Sequence, residues 1–447
     1  MSRRLLVFLL PAGGLLLLAL TLWLGRERIS SIPRPSFWSP AKTAPASQAP
    51  AVSSSRPHTP VTVATPTLTV SYHASSSGVL PQETKAAYVN AIMNSEAKTL
   101  PRLQCPHPDA SRYQYLAEQE DAVAESIRYF IALDLRQCIS LLPRLLGSVI
   151  EAIRFLGPRN CALSIIEGNS NDGTGEVLAA LRPELDALTT TYYFETSDIN
   201  PKEGDRIQKL AQLRNMALQP LVDDTEAAKF SAKNTTVVFL NDVAICLEDI
   251  LELIHQKRIL GADMTCAMDW TYVGPDPTFY DVWIARGMNG DSFFEIPADG
   301  NWDSAWNLFW NNPSAQQRLL RHQPFQVFSC WNGAAVFTAT PIIDRTIAFR
   351  AHREGECLQG EPQLLCKDMW FHGYGKIAAV PTVNLEYSND NGKKIKEAKG
   401  YVSHWVSTPG HQDETIEWQL EPPEKVKCIP KYENQFFEAW NSTQPGT

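Results

Sequence analysis

Val237-Val-Phe-Leu-Asn-Asp-Val243, followed by Leu247-Glu-Asp-Ile-Leu-Glu-Leu-Ile254, decides the fold. The β-branched and aromatic run from Val237 to Leu240 reads as a strand. It delivers Asn241 and Asp242 to its carboxyl end. Leu247, Ile250, Leu251 and Ile254 then fall on one face of a helix, which docks that helix on the sheet. Glu248 and Asp249, in its first turn, suit the helix dipole better than a metal. A carboxylate at a strand tip can hold a hard cation that bridges two phosphates, or can serve simply as a helix N-cap.

The same strand-then-helix alternation extends in both directions. Upstream, residues 112–156 read as mainly helical, with Pro143 near a helix start. Ala162 to Ile166 is a short apolar run, followed by Gly168-Asn-Ser-Asn-Asp-Gly-Thr174 and a helix through Leu181. Thr190 to Phe194 is β-rich, and Arg206 to Leu218 is helical. Downstream, the helix continues to Leu260, and Met264 to Met268, Ala334 to Thr338 and Ala378 to Val383 supply later strands. Such an order argues for an α/β domain with a mostly parallel sheet flanked by helices, in which ligands sit at the carboxyl ends of the strands.

The unusual residues fall at those ends. Glu167, Asn169 and Asp172 offer acceptors for a base and ribose, although Asn-Asp-Gly is also an ordinary helix-capping turn. Arg214 shares the apolar stripe of Ile207, Leu210, Ala211 and Leu218, so its guanidinium needs an anionic partner. That partner is either a diphosphate or a scaffold carboxylate. In Glu356-Cys-Leu-Gln-Gly-Glu-Pro-Gln-Leu-Leu-Cys-Lys-Asp368, Leu365 and Trp370 would pack inward while Glu361 and Asp368 face a cleft. Trp302, Trp306 and Trp310 recur every four residues, as a sugar-stacking ridge or as core. Ser329-Cys-Trp-Asn-Gly-Ala-Ala335 is a candidate acceptor wall.

Outside this region the composition changes. Residues 5–24 carry no charge and match the length of a transmembrane helix; a signal peptide's apolar run is shorter, about 7–15 residues. Between Ile29 and Gln82 there is no Asp or Glu, and prolines recur among Ser, Thr and Ala, which reads as a disordered stalk. The expected organisation is a cytoplasmic tail (1–4), a transmembrane anchor (5–24), a stalk (25–85) and a lumenal catalytic domain (86–447). That is the layout of a single-pass type II Golgi membrane enzyme. Residues 83–447 hold 33 basic and 48 acidic residues, a formal charge of −15, which disfavours nucleic acid as a partner. Their nine cysteines include no CxxC pair, so disulfides with at least one leftover thiol are expected rather than a zinc ribbon. Cys357 and Cys366 are close enough to close a small loop. Asn234-Thr-Thr and Asn441-Ser-Thr are glycosylation sequons.

Taken in order, the strand with Ser-Asn-Asp-Gly-Thr174, Leu213-Arg-Asn, Phe239-Leu-Asn-Asp and Gly360-Glu before Gly373-Tyr-Gly-Lys-Ile look like the landmarks of the GT-A glycosyltransferase fold. More closely, Phe239-Leu-Asn-Asp-Val-Ala-Ile-Cys-Leu-Glu-Asp-Ile-Leu251 and the Glu356-Cys to Met369-Trp block resemble the fungal α-1,3-mannosyltransferases and capsule-associated proteins of glycosyltransferase family 69. The resemblance spans roughly residues 105–440. It implies a GDP-mannose donor, a glycan acceptor, an α-1,3 linkage formed with retention, and a divalent cation, usually Mn²⁺. Glu167, Asn169 and Asp172 would then meet the nucleoside, Arg214 the diphosphate, and Asn241 and Asp242 the metal corner. Asp242 would bind the metal, and Glu361 would position the acceptor. The family's usual Asp-x-Asp is Asn241-Asp242-Val243 here, so His404 is a candidate to complete the metal shell. Pro362 stands where many inverting relatives keep an aspartate base. A non-catalytic GT-A-like scaffold or glycan-binding protein, and a glycoside hydrolase with two carboxylates, are the alternatives.

Overall fold

Seven-residue apolar runs separated by amphipathic segments build a sheet covered by helices on both faces. The computed structural model describes residues 80–118, 126–223, 225–407 and 413–443. Ten strands form one sheet: β1 (Tyr129–Leu135), β2 (Cys161–Glu167), β3 (Thr191–Thr196), β4 (Thr236–Leu240), β5 (Met264–Tyr272), β6 (Pro277–Phe279), β7 (Arg286–Gly287), β8 (Phe325–Ser329), β9 (Ala334–Thr338) and β10 (Ile377–Leu385). Their order is β3-β2-β1-β4-β9-β5-β10-β8-β7, with β6 paired to β5. β3, β2, β1 and β4 are mutually parallel, as are β5 and β10. β9 runs against both its neighbours, and β8 against β10. The sheet is therefore mixed, with a parallel half at one side.

Alternation along each strand sorts the core into two layers. On β1, Phe130 and Ala132 join one buried cluster while Tyr129, Ile131, Leu133 and Leu135 join the other. Val237 and Phe239 of β4 match the first set, Val238 and Leu240 the second. The first layer contains the apolar residues of helices Arg206–Val222 and Glu361–Phe371; the second contains those of Leu142–Leu156, Thr174–Ala180 and Leu247–Leu260. The same alternation sends Asp134 and Asn241 toward the first layer, where Arg214 lies.

β1 corrects the helical reading of residues 112–156. Pro143 does sit in the first turn of its helix, but Tyr129–Leu135 is a central strand. A strand buried on both faces loses its polar alternation and cannot be told from a buried helix by periodicity. The tryptophans at 302, 306 and 310 form no helical ridge, because 303–310 is a series of turns. Trp302 packs on Phe294, whereas Trp306 is 80% exposed.

Helix Gln82–Met93 straddles the boundary expected at residue 85, so the folded domain starts before it. Among the described residues no helix is long and apolar enough to cross a membrane. The expected tail and anchor, and the stalk up to residue 79, lie outside the described residues.

The cysteines form three disulfides, Cys105–Cys246, Cys266–Cys330 and Cys357–Cys428, and leave Cys138, Cys161 and Cys366 as buried thiols. Cys357 is thus joined to the hairpin of Lys425–Lys431 and Asn434–Ala439, not to Cys366. Cys366 faces the sheet from its helix, against the Cys330 carbonyl.

Helix Leu247–Leu260 is buried on nearly every side, which changes the role of its first turn. Asp249 accepts from the Cys246 N–H at 2.8 Å and pairs with Lys396 at 2.6 Å, both side chains being almost fully buried. Replacing Lys396 with Met leaves that carboxylate uncompensated and is expected to cost about 3–5 kcal/mol in urea unfolding. Glu248 is 1% exposed, its Oε2 accepts from the Ser403 N–H, and its Oε1 makes no hydrogen bond among the described residues. Burial, and then the charge of Asp249, raises it to about 7. A carboxyl raised on folding adds stability below its unfolded value, and that stability drains away as pH climbs through the folded one. Glu248→Gln should therefore gain on the wild type by on the order of 2 kcal/mol between pH 5 and pH 8.

Candidate active site

The parallel half of the sheet brings its carboxyl ends to one edge. Leu133 of β1 is in register with Leu240 of β4, and Leu135 with Glu167 of β2. β9 enters from this edge, since Ala334 pairs with Leu240. The turn before it, Asn332-Gly333, has φ +54° and +82°, and the Gly333 carbonyl accepts from the Asn241 N–H at 2.9 Å. A Cβ on Gly333 would lie 3.0 Å from Val243 and in left-handed backbone, so both space and φ call for glycine.

Arg214 is the centre of the site. From helix Arg206–Val222 its Nε donates to Glu361 Oε1 at 2.8 Å, and its Nη1 to Asn241 Oδ1 at 3.4 Å. The indole N–H of Trp331 donates to the same Asn241 oxygen at 2.9 Å. The guanidinium lies 4.6 Å from the Trp331 ring and 5.2 and 5.6 Å from Phe239 and Phe349. Such rings favour a cation electrostatically when water is excluded. Of the two partners open to Arg214, the scaffold carboxylate is realised, and it is Glu361. Nη2 donates to no protein acceptor among the described residues.

Asp242 follows Asn241 at the strand tip and is half-buried. Burial raises its carboxyl to about 6 against the opposing pull of Arg214. Asp134, one residue before the end of β1, is raised to about 6 by burial, with Arg214 lowering it and Glu361 and Asp242 raising it further. Sequence reading missed Asp134. The signal available was a lone acid inside the apolar run Tyr129-Phe-Ile-Ala-Leu-Asp-Leu135.

The turn after β2 stands two strands away from Asp242. Glu167 is buried, and its Oε1 accepts from the Ser170 N–H at 2.7 Å. Asn169 is exposed with φ +54°. Asp172 is committed to the loops: Oδ1 accepts from the Thr174 N–H and hydroxyl, and Oδ2 from the Ile139 N–H. This is the geometry of a turn former. The buried Cys138 thiol, in the loop after β1, is held well above its ordinary value by burial and then by the charges of Asp242, Asp172 and Glu167. Residues 167–172 and Asp242 lie where the two strands that flank β1 finish, at the same end of the sheet.

Other expected positions fall elsewhere. Asp368 does not face a cleft; it pairs bidentately with Arg350 at 2.7 and 2.8 Å, and Arg350 also holds Glu356. Leu365 and Trp370 do pack inward. His404 lies on the short helix Val402–Val406, beside Trp405.

A divalent cation suits the edge only in company with a ligand. Arg214 lowers both Asp134 and Asp242, with Arg136 also lowering Asp134, and hard carboxylate oxygens fit Mg²⁺ or Mn²⁺. Among the described residues the one trio of ligand-type side chains close enough to share an ion is Cys357, Cys428 and Glu438, and its two cysteines are disulfide-bonded. The described residues therefore supply too few donors to hold a cation by themselves.

Comparison with known proteins places the chain in a family. The family model described as Cryptococcal mannosyltransferase 1 matches residues 128–368, from the start of β1 to Asp368. The chain is 38% identical over 335 residues to alpha-1,3-mannosyltransferase CMT1 of Cryptococcus neoformans var. neoformans, covering 71% of each chain. Among solved structures, S. aureus TarS 1-349 aligns with a TM-score of 0.34 at 12% identity, over 64% of this chain and 67% of that one. Mannosyltransferase PcManGT from Pyrobaculum calidifontis, in complex with GDP-Man and Mn²⁺, aligns at 0.33 and 10% identity over 62% of each. At such scores neither structure carries an argument. The match to the family model and to the Cryptococcus enzyme does: the chain belongs to the fungal capsule-associated mannosyltransferase family and is a glycosyltransferase.

Proposed function

We propose that this mannosyltransferase has a GT-A fold and uses GDP-mannose as donor, transferring mannose to a glycan hydroxyl in an α-1,3 linkage with retention and with Mn²⁺ or a similar divalent cation at Asp242. The observation that carries the reading is Arg214, fixed by Glu361 and Asn241 beside Asp242 with one N–H face uncommitted. A guanidinium held in this way presents parallel donors to phosphate oxygens without further ordering.

When bound, the cation supplies charge neutralisation to the diphosphate. Arg214 Nη2 donates to a diphosphate oxygen, so that negative charge growing on GDP as the C1–O bond breaks meets a pre-oriented donor. Asn241, itself held by Trp331, keeps that guanidinium at the strand tip. Glu361 balances the Arg214 charge, and its commitment to that pair makes it a positioning residue for the donor side. Glu167 and Asn169, at the turn after β2, border the place for the nucleoside. Pro362, beside Glu361, provides no carboxylate base, consistent with retention. The linkage and the GDP-mannose donor rest on family likeness. Membership of a mannosyltransferase family sets aside the glycan-cleaving and non-catalytic alternatives.

We also propose that the domain works in the Golgi lumen behind the anchor at residues 5–24. Three disulfides suit an oxidising compartment, and Asn234 is exposed in its sequon.

Two outcomes test this function. The purified domain, given GDP-mannose, Mn²⁺ and a mannoside, should form a product whose anomeric configuration by NMR is α, and EDTA should stop the reaction reversibly. Asp242→Ala should lower transfer by at least about 100-fold while melting like the wild type. Full activity of that variant would remove Asp242 from the mechanism, and transfer from a UDP-sugar in preference to GDP-mannose would overturn the donor.

A further inference from the structure

The donor residues occupy the β2-β1-β4 side of the edge. Across β9, at the ends of β5 and β10, stands a second group that the donor chemistry does not use. Asp269, on β5, is fully buried; its Oδ2 accepts from the Tyr387 hydroxyl at 2.6 Å, and its buried Oδ1 makes no hydrogen bond among the described residues. Asp281 Oδ2 accepts from the Asn332 N–H at 3.0 Å, and its Oδ1 makes no hydrogen bond among the described residues. Tyr280, 37% exposed, leans on Tyr387 with ring centroids 5.1 Å apart.

A buried acid behind a half-buried one, beside a partly exposed aromatic ring, is costly to keep without a ligand. A buried oxygen with no hydrogen bond forfeits its hydration. Burial, and then the Asp281 charge, hold Asp269 well above the carboxylate range, while burial raises Asp281 to about 6. Asp281 accepts from the Asn332 N–H, Trp331 before it donates to Asn241, and the Gly333 carbonyl after it accepts from the Asn241 N–H. One three-residue turn therefore joins Asp281 to the strand tip that carries Asp242, beside the place where the transferred sugar would sit. An aromatic face next to a carboxylate is a pairing that recognises a sugar ring, with C–H bonds on the ring and hydroxyls on the carboxylate.

We propose that Tyr280 and Asp281 form the acceptor subsite, with the acceptor sugar stacked on Tyr280 and one of its hydroxyls bonded to Asp281, and with Asp269 and Tyr387 as the support behind them. The inference rests on the mannosyl-transfer reading above. It assigns the acceptor contact to residues between the two family blocks, rather than to Glu361.

The test uses the purified domain with GDP-mannose, Mn²⁺ and methyl α-mannoside as acceptor probe, and reads transfer and acceptor-free donor hydrolysis separately. Tyr280→Ala and Asp281→Asn should each raise the acceptor KM by about tenfold or more, while donor KM and donor hydrolysis stay within about twofold. Tyr280→Phe should keep the wild-type acceptor KM, because the ring does the stacking. An unchanged acceptor KM in both Tyr280→Ala and Asp281→Asn overturns the subsite. Donor hydrolysis falling in step with transfer also overturns it, by placing both residues in donor binding. A wild-type domain that hydrolyses and transfers nothing from GDP-mannose overturns the donor reading and this inference with it.

Discussion

The buried ion pair between Arg214 and Glu361 is the constraint on which the site depends. It joins residues 147 apart in sequence, with side chains only 10% and 3% exposed. Removing either partner from such a pair leaves a bare charge in a dry place, at a cost of about 3–5 kcal/mol. The pair therefore fixes helix Glu361–Phe371 against helix Arg206–Val222, both on one face of the sheet. Asn241 then ties the guanidinium to the tip of β4, and Trp331 ties Asn241 to the turn entering β9. Three aromatic rings around the charge keep water away and favour the cation. The arrangement spends a buried charge to hold a donor still, which makes sense at a site that receives an anion.

Charge balance along the edge points the same way. Asp134, Asp242 and Asp281 are each raised to about 6 by burial, and Arg214 draws all three down, joined by Arg136 at Asp134 and by Arg286 at Asp281. Clustered carboxylates in a low-dielectric edge favour a cation, while Arg214 favours an anion. A metal–diphosphate unit, in the reading proposed above, would meet each of these charges with its opposite.

Much of this was legible in the residues. The alternation of strands and helices after Ala162 pointed to the class of fold, and the helix read from the apolar face of Leu247, Ile250, Leu251 and Ile254 runs from Leu247 to Leu260 as expected. Asn241, Asp242 and Arg214 stood out because polar groups at a strand tip or on an apolar stripe need a reason. What escaped was whatever depends on distant contacts. β1 hid in a helical stretch because its sides are both buried, and Asp134 hid with it. Cys357 found Cys428 across 71 residues instead of its near neighbour Cys366, since the helix between turns Cys366 toward the sheet. Asp368 looked free for a cleft until Arg350 closed on it. No local pattern could show that Glu361, read as an acceptor contact, would be claimed by Arg214.

The most direct measurement is calorimetric titration of GDP into the folded domain, with Mn²⁺ and with EDTA, for the wild type and for Arg214→Lys. Lysine can still pair with Glu361 but lacks the parallel donors. GDP should bind the wild type only with Mn²⁺, and should bind the lysine variant at least about tenfold more weakly at an unchanged melting temperature. Equal GDP affinity in the two proteins, or binding indifferent to Mn²⁺, would contradict a site built around that guanidinium.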